Sequence, residues 1–141
     1  MPVMTADELT AFLRGAFPDS PPPFVVTSVA HHRVELELPD EAVFLRPGGT
    51  VSGPTLMTFA DSAAYMAVLA EIGPVALAVT SSLTINFLRK PAPIGLLAVT
   101  ELLRLGRRQA VVDVRIWSRG EADPVAQATV TYAIPSARTT T

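Results

Sequence analysis

After Pro54 the next proline is Pro74, and the residues between them are apolar on almost every side of a helix. Leu56, Met57, Phe59, Ala60, Ala63, Ala64, Met66, Ala67, Val68 and Leu69 leave it little polar face. Pro54 suits the first helical position, where a missing N–H costs nothing. A helix this apolar in a water-soluble chain has to be enclosed on most sides. What could enclose it is set by the flanking segments. Residues 34–38 (Val-Glu-Leu-Glu-Leu) alternate strictly, as a half-buried strand should, and residues 24–29 form a second strand-like run. Four more strand-like segments follow the helix, at residues 77–88, 96–105, 110–117 and 125–134, with short connections that favour antiparallel pairing. The expectation is an α+β chain in which an antiparallel sheet wraps around one long central helix.

Thr5 with Glu8 three residues on forms a capping box for a short leading helix over residues 5–16. The core is expected over about residues 24–135, with a polar tail at 136–141, all as a single domain. At 141 residues such a domain buries roughly two-thirds of its unfolded surface. Half-apolar composition (49% hydrophobic, 17% charged) excludes a disordered linker.

Composition also removes several chemistries. The absence of cysteine excludes disulfide scaffolds, zinc ribbons and cysteine nucleophiles. The two adjacent histidines, His31 and His32, are too few for a histidine metal cage and are expected to face solvent, so no metal site is expected. A net charge of −2 and the lack of a stacking aromatic motif argue against nucleic acid as a partner. No Gly-x-Ser-x-Gly elbow is present. The first residues carry Asp7 and Glu8 before any basic residue, unlike a secretion signal. The most apolar stretch, 51–79, is interrupted by Asp61, Glu71, Gly73 and Pro74, unlike a membrane span. A soluble, cytoplasmic chain is expected.

Asp61 is the only charged residue from Pro47 to Ala70. An ionised carboxylate in an apolar helix must find partners, reach water or shift its pKa, and so it is the first candidate for chemistry. The alternative is a structural Asp bonded to backbone. Upstream, Arg46-Pro47-Gly48-Gly49-Thr50-Val51-Ser52-Gly53-Pro54 places glycines before a helix start. There, N–H groups can approach a carbonyl oxygen and form an oxyanion hole; a plain glycine loop capped by Ser52 is the alternative.

Together these segments resemble the hotdog-fold acyl-CoA thioesterases, specifically the phenylacetate-degradation type of the 4-hydroxybenzoyl-CoA thioesterase superfamily. That signature reads Asn-Pro-x-Gly-x-x-His-Gly-Gly, six residues, then an acid; Pro47, Gly49, Gly53 and Asp61 fall on it without a gap. Leu83 to Ala92 is similar to the family strand ending Phe-Leu-Arg-Pro-Ala, with one residue added, and Leu105-Gly106-Arg107-Arg108 to the turn that follows. The resemblance spans about residues 24–135. Arg46 replaces the family Asn, Ser52 its His and Pro54 its second Gly.

The resemblance implies hydrolysis of an acyl-CoA thioester, with coenzyme A as part of the substrate and no separate cofactor. Gly53 N–H is the implied oxyanion donor, Asp61 the general base or nucleophile, and Thr80 the hydroxyl that orients the attacking water. Ser52 could still donate a hydroxyl hydrogen bond. Thr80 also reads as an ordinary threonine on a polar strand face with Ser82, Thr84 and Asn86. Arg89, Lys90, Arg104, Arg107 and Arg108 against one acid, Glu101, form a basic patch that suits the nucleotide phosphates, or else are solvated strand ends. Arg46, Arg89, Lys90, Arg107 and Arg108 are the expected substrate-binding set.

Eight residues separate Gly53 from Asp61, about 12 Å of helix. One chain cannot set both against one thioester, which must lie within about 3–4 Å of each. The family site, shared between two-fold-related subunits, removes the conflict. The expectation is therefore a homodimer, or a dimer of dimers, with two equivalent sites. Two other readings are open: a non-catalytic acyl-CoA-binding hotdog protein, and a hotdog dehydratase, which would want a His near Asp61.

Overall fold

The computed structural model describes residues 2–19, 22–42, 45–46 and 50–135, with the backbone alone at 45, 46 and 50. Pro47, Gly48, Gly49 and the tail 136–141 lie outside the described residues. Helix α1 (Ala6–Ala16) opens on the expected capping box. Glu8 N–H donates to Thr5 Oγ1 at 3.1 Å, and Thr5 N–H donates to Glu8 Oε1 at 2.9 Å. Leu9 and Leu13 bury the inner face of this helix.

Strands β1 (Val25–Ala30) and β2 (Arg33–Leu38) form a hairpin, followed by a single 3-10 turn at Asp40–Ala42. A two-residue ladder, β3 (Leu45–Arg46) with β4 (Thr50–Val51), precedes the central helix α2 (Gly53–Ile72). Four strands complete the chain: β5 (Val79–Phe87), β6 (Leu96–Leu105), β7 (Gln109–Ser118) and β8 (Ala126–Ala133). The main sheet is antiparallel throughout, in the order β1-β2-β6-β7-β8-β5. It curves around α2, which lies against β2, β5, β6, β7 and β8. No helix among the described residues is long and apolar enough to cross a membrane.

Helix α2 starts one residue before the expected position. Ser52 is the N-cap, its Oγ accepting from Thr55 N–H at 3.2 Å, and Pro54 follows Gly53 within the first turn. The helix meets the sheet with Leu56, Phe59, Met66 and Leu69, all buried, and with small Ala60, Ala63, Ala64 and Ala67, which let the strands approach closely.

Strand β5 departs from its expected alternation, and the departure matters for the site. Thr80 pairs with Tyr132 and Leu83 with Val130, so three steps on β5 span two on β8, a bulge around Ser81 and Ser82. A bulge reverses which side chains face inward. Thr80 therefore shares the inner face with Leu83 and Ile85, rather than the outer face with Ser82 and Thr84. Val79 moves the other way and is 56% exposed. β5 is also an edge strand carrying bare apolar side chains, with Phe87 54% exposed.

Candidate active site

Asp61 lies in the middle of α2, half-buried, where β8 and β5 pass it. Alternation on β8 turns Ala126, Ala128, Val130 and Tyr132 inward, and Tyr132 is 3% exposed. The Tyr132 hydroxyl is 3.0 Å from Asp61 Oδ1 and 3.1 Å from the Asp61 carbonyl oxygen, so its one hydrogen is shared between two acceptors. Burial, reinforced by the neighbouring Asp61 charge, pushes the Tyr132 phenol far above its ordinary pKa and keeps it a donor. The Tyr65 ring stacks against it at 5.8 Å.

The bulge on β5 delivers the second donor. Thr80 Oγ1 donates to Asp61 Oδ1 at 2.5 Å. Both hydroxyls thus converge on one carboxylate oxygen, and among the described residues none bonds Oδ2. A carboxylate held through one oxygen presents the other in a fixed direction for a proton or an electrophile.

Asp61, Ser62, Tyr65 and Tyr132 line a cavity of about 280 Å³ together with Leu13 and Phe17 of the α1 region. Pro22, Phe24 and Ser62 are shared with a larger cavity of about 570 Å³, which extends past Leu38 and Phe59 to Ser52 and Thr55. Its wall is largely apolar and its size is that of a small-molecule pocket. Among the described residues, the only charged wall residue of the two cavities is Asp61.

Gly53 is not brought to this carboxylate. It opens α2 eight residues earlier, lining a cavity of about 400 Å³ with Phe87, Arg89 and Lys90. A Cβ built on Gly53 would sit 3.6 Å from the Phe87 ring, an ordinary contact, so the position has room for a small side chain. Ser52 is engaged as the cap of α2 and lies 2.8 Å from Thr55 Oγ1. Of Arg46 the structure describes the backbone alone, on β3.

The basic patch is divided within one chain, which corrects the sequence expectation of a single cluster. Phe87 pairs with Ala126, which pairs with Ile116, so Arg89 and Lys90 follow one end of the sheet. Val79 pairs with Ala133, which pairs with Gln109, so Arg107 and Arg108 sit at the opposite end. Arg89 is further turned aside, its Nη1 donating to Pro124 O at 2.8 Å. The split follows from β6, whose ten residues run the length of the sheet between Lys90 and Arg107, about 33 Å.

Tyr132 is the site residue that sequence reasoning did not single out. Its signal is faint: a lone hydroxyl-bearing ring in the inward row Ala126, Ala128, Val130, Tyr132 and Ile134.

The thioesterase superfamily model matches residues 48–125, more than half of the chain. A candidate thioesterase from a Silicibacter species is 40% identical, covering 96% of this chain and 94% of its own at a TM-score of 0.87. The chain belongs to the thioesterase superfamily. Its sheet curved around one long helix is the hotdog fold. A phenylacetic acid degradation-related protein from Ralstonia eutropha, also a candidate thioesterase, is 28% identical. The alignment covers 87% of this chain and 98% of that one, with a TM-score of 0.72. A variant of the phenylacetic acid degradation protein of Thermus thermophilus is 26% identical over 79% of this chain and 93% of its own, with a TM-score of 0.67. Among functionally curated proteins none matches.

Proposed function

We propose that this superfamily member hydrolyses acyl-CoA thioesters in the cytoplasm, at sites completed between two subunits. The observation that carries the reading is the Asp61 carboxylate, clamped through Oδ1 by Thr80 and Tyr132 at the mouth of a largely apolar cavity. The acyl chain would occupy the cavity. The thioester oxygen would accept from Gly53 N–H of the partner subunit, at the positive end of its α2, as negative charge develops. Asp61 Oδ2 then takes a proton from water as the water oxygen bonds to the acyl carbon. The carbon–sulfur bond breaks and the proton passes to the leaving thiolate. In the covalent alternative Oδ2 attacks the acyl carbon, the carbon–sulfur bond breaks and the thiolate leaves to take a proton from solvent, and water then cleaves the mixed anhydride to free acid and the Asp61 carboxylate.

Strand β5 supports the shared site. Thr80, bonded to Asp61, lies at one end of β5, and Phe87, beside Gly53, lies at the other, about 23 Å along the strand over seven residues. Antiparallel pairing of the bare β5 edge with its own copy, about a two-fold near Leu83, would carry the partner subunit's Gly53 to the Asp61 end. The same operation would bring the partner's Arg89 and the partner's Lys90 toward Arg107 and Arg108. The divided basic patch then becomes one surface for the coenzyme A phosphates.

The engagement of Ser52 as a helix cap favours a second reading. The residue at the family His position serves α2, and a chain that lost turnover with that His would bind acyl-CoA without hydrolysing it. Thiol release from short, medium, long and aryl acyl-CoAs separates the two readings. The enzyme reading expects turnover of at least one member whose acyl group fits within about 570 Å³. Binding of every member with no thiol released would establish the non-catalytic alternative.

Tyr132 is a positioning residue in this scheme. Tyr132→Phe keeps the ring and removes one hydrogen bond to a charged acceptor, which predicts a kcat about tenfold lower or more. KM should hold within about twofold. Equal losses in kcat and in thermal stability of the apoprotein would reduce Tyr132 to a packing role.

A further inference from the structure

We propose that Phe24 and Ser62 form the neck of a two-chamber acyl site, and that this neck selects long, unbranched acyl tails over branched or aryl ones. The neck deepens the acyl-CoA reading and rests on it. Asp61 lines the smaller cavity, of about 280 Å³, and the larger, of about 570 Å³, begins beyond it. An acyl carbon set against Asp61 Oδ2 therefore starts its tail in the smaller chamber. Pro22, Phe24 and Ser62 line both chambers, so a tail that passes from the first to the second must go by these three residues. Ser62 belongs to α2 and Phe24 to the segment entering β1, so the walls of the passage come from separate elements.

Both walls are stiff. Pro22 and Pro23 each have φ fixed by the ring, and a residue before proline is further restricted to extended backbone. Val25, directly after Phe24, is paired with Glu37 on β2. Phe24 is thus held from both sides along the chain, and its side chain is partly buried against the core. Ser62 stands in the interior of α2, one residue after Asp61. A passage built on such elements keeps its width, which is what discrimination by shape requires.

The bulk around Ser62 fixes where the opening lies. Phe59, three residues before it, lines the larger chamber, and Tyr65, three residues after it, lines the smaller. Residues three apart on a helix are neighbours on one face, so serine sits between two aromatic side chains and leaves a gap that a larger residue would fill.

Past the neck the larger chamber follows α2 toward its start, by Phe59 to Thr55 and Ser52. The seven residues from Ser62 to Thr55 span about 10 Å of helix. With bonds of about 1.5 Å and angles of about 111°, an extended hydrocarbon advances about 1.25 Å per carbon, so about eight carbons fit along this stretch. Leu38, Ala42 and Phe59 give that chamber an apolar wall, which rewards each methylene removed from water. A compact aryl group would stop in the smaller chamber and gain nothing from the larger.

The test measures binding by calorimetry with 2-oxoalkyl-CoA thioethers, acyl-CoA analogues whose extra methylene between sulfur and carbonyl prevents hydrolysis. For the wild type, affinity is expected to rise by up to about fourfold per added carbon until the chain fills the larger chamber, and then to level off. Ser62→Phe fills the neck. Its affinity ratio between analogues of about twelve and about four carbons should fall by about 100-fold or more relative to wild type. Phe24→Ala opens the neck from the other wall, and should reduce the preference for a linear over a tail-branched analogue by about tenfold. Each ratio is taken within one protein, so a variant that folds incompletely loses binding-competent protein without moving its ratio. A merely structural role would weaken all analogues alike. Affinity independent of chain length in the wild type would overturn the neck, as would wild-type ratios in both variants. Failure of every analogue to bind would overturn the acyl-CoA reading and the neck with it. Length-dependent binding lost in Ser62→Phe, with no thiol released from the matching acyl-CoAs, would establish the neck in a protein that does not hydrolyse.

Discussion

Asparagine at position 61 is expected to lower acyl-CoA turnover by about 10²–10⁴-fold while leaving acyl-CoA binding within a few-fold of wild type. The substitution isolates chemistry from structure unusually well at this position. Asparagine has the shape of aspartate, and its side-chain oxygen can still accept from Thr80 Oγ1 and from Tyr132, which meet the carboxylate at 2.5 and 3.0 Å. The clamp, the strand bulge and the cavity wall therefore stay in place. What disappears is the charge and basicity of Oδ2, which among the described residues takes no hydrogen bond. A group without that charge can neither remove a proton from water nor attack the acyl carbon. Thiol release and calorimetric binding of the same acyl-CoA, measured side by side, check the claim. Turnover retained above about a tenth of wild type would remove Asp61 from the chemistry under either the base or the nucleophile mechanism.

The features that were legible in the sequence are those governed by neighbours along the chain. The capping box at Thr5 and Glu8, the apolar helix around Asp61, and a strand over residues 96–105 all depend on patterns a few residues long, and they stand as expected. The family resemblance carried Gly53, Asp61 and Thr80, and the 12 Å helix argument turned two of them into an expectation about subunits. What was not legible depends on pairing across the sheet. The bulge at Ser81 and Ser82 exists only relative to β8, so alternation along residues 77–88 put Thr80 on the wrong face. Tyr132 meets Asp61 from 71 residues away. The basic patch was read as one cluster because residues 89–108 are contiguous in sequence. Strand β6 crosses the whole sheet between them and so sends Arg89 and Arg107 to opposite ends.

Mixing two inactive variants is expected to restore about one quarter of wild-type turnover, because each site draws on two chains. The first variant is Asp61→Asn. The second is Gly53→Pro, which removes the proposed oxyanion N–H and little else. Gly53 is the first residue of α2, where proline is well tolerated, and Ser52 before it is already extended at φ −71° and ψ 151°, as a residue preceding proline must be. Gly53→Ala keeps the N–H and meets the Phe87 ring at an ordinary distance, so it serves as the control that should stay active. Alone, Gly53→Pro should lose about 10²–10³-fold in kcat, the usual weight of one oxyanion donor. In a dimer formed from one chain of each kind, one site combines both defects and the other combines an intact Gly53 with an intact Asp61. Random reassociation makes about half the dimers mixed, and half of their sites are whole. The measurement is thiol release after the two proteins are unfolded together and refolded. Activity no greater than the sum of the two variants would mean that Gly53 and Asp61 act within one chain or not on one thioester, and the two-subunit site would fall while the Asp61 result stood.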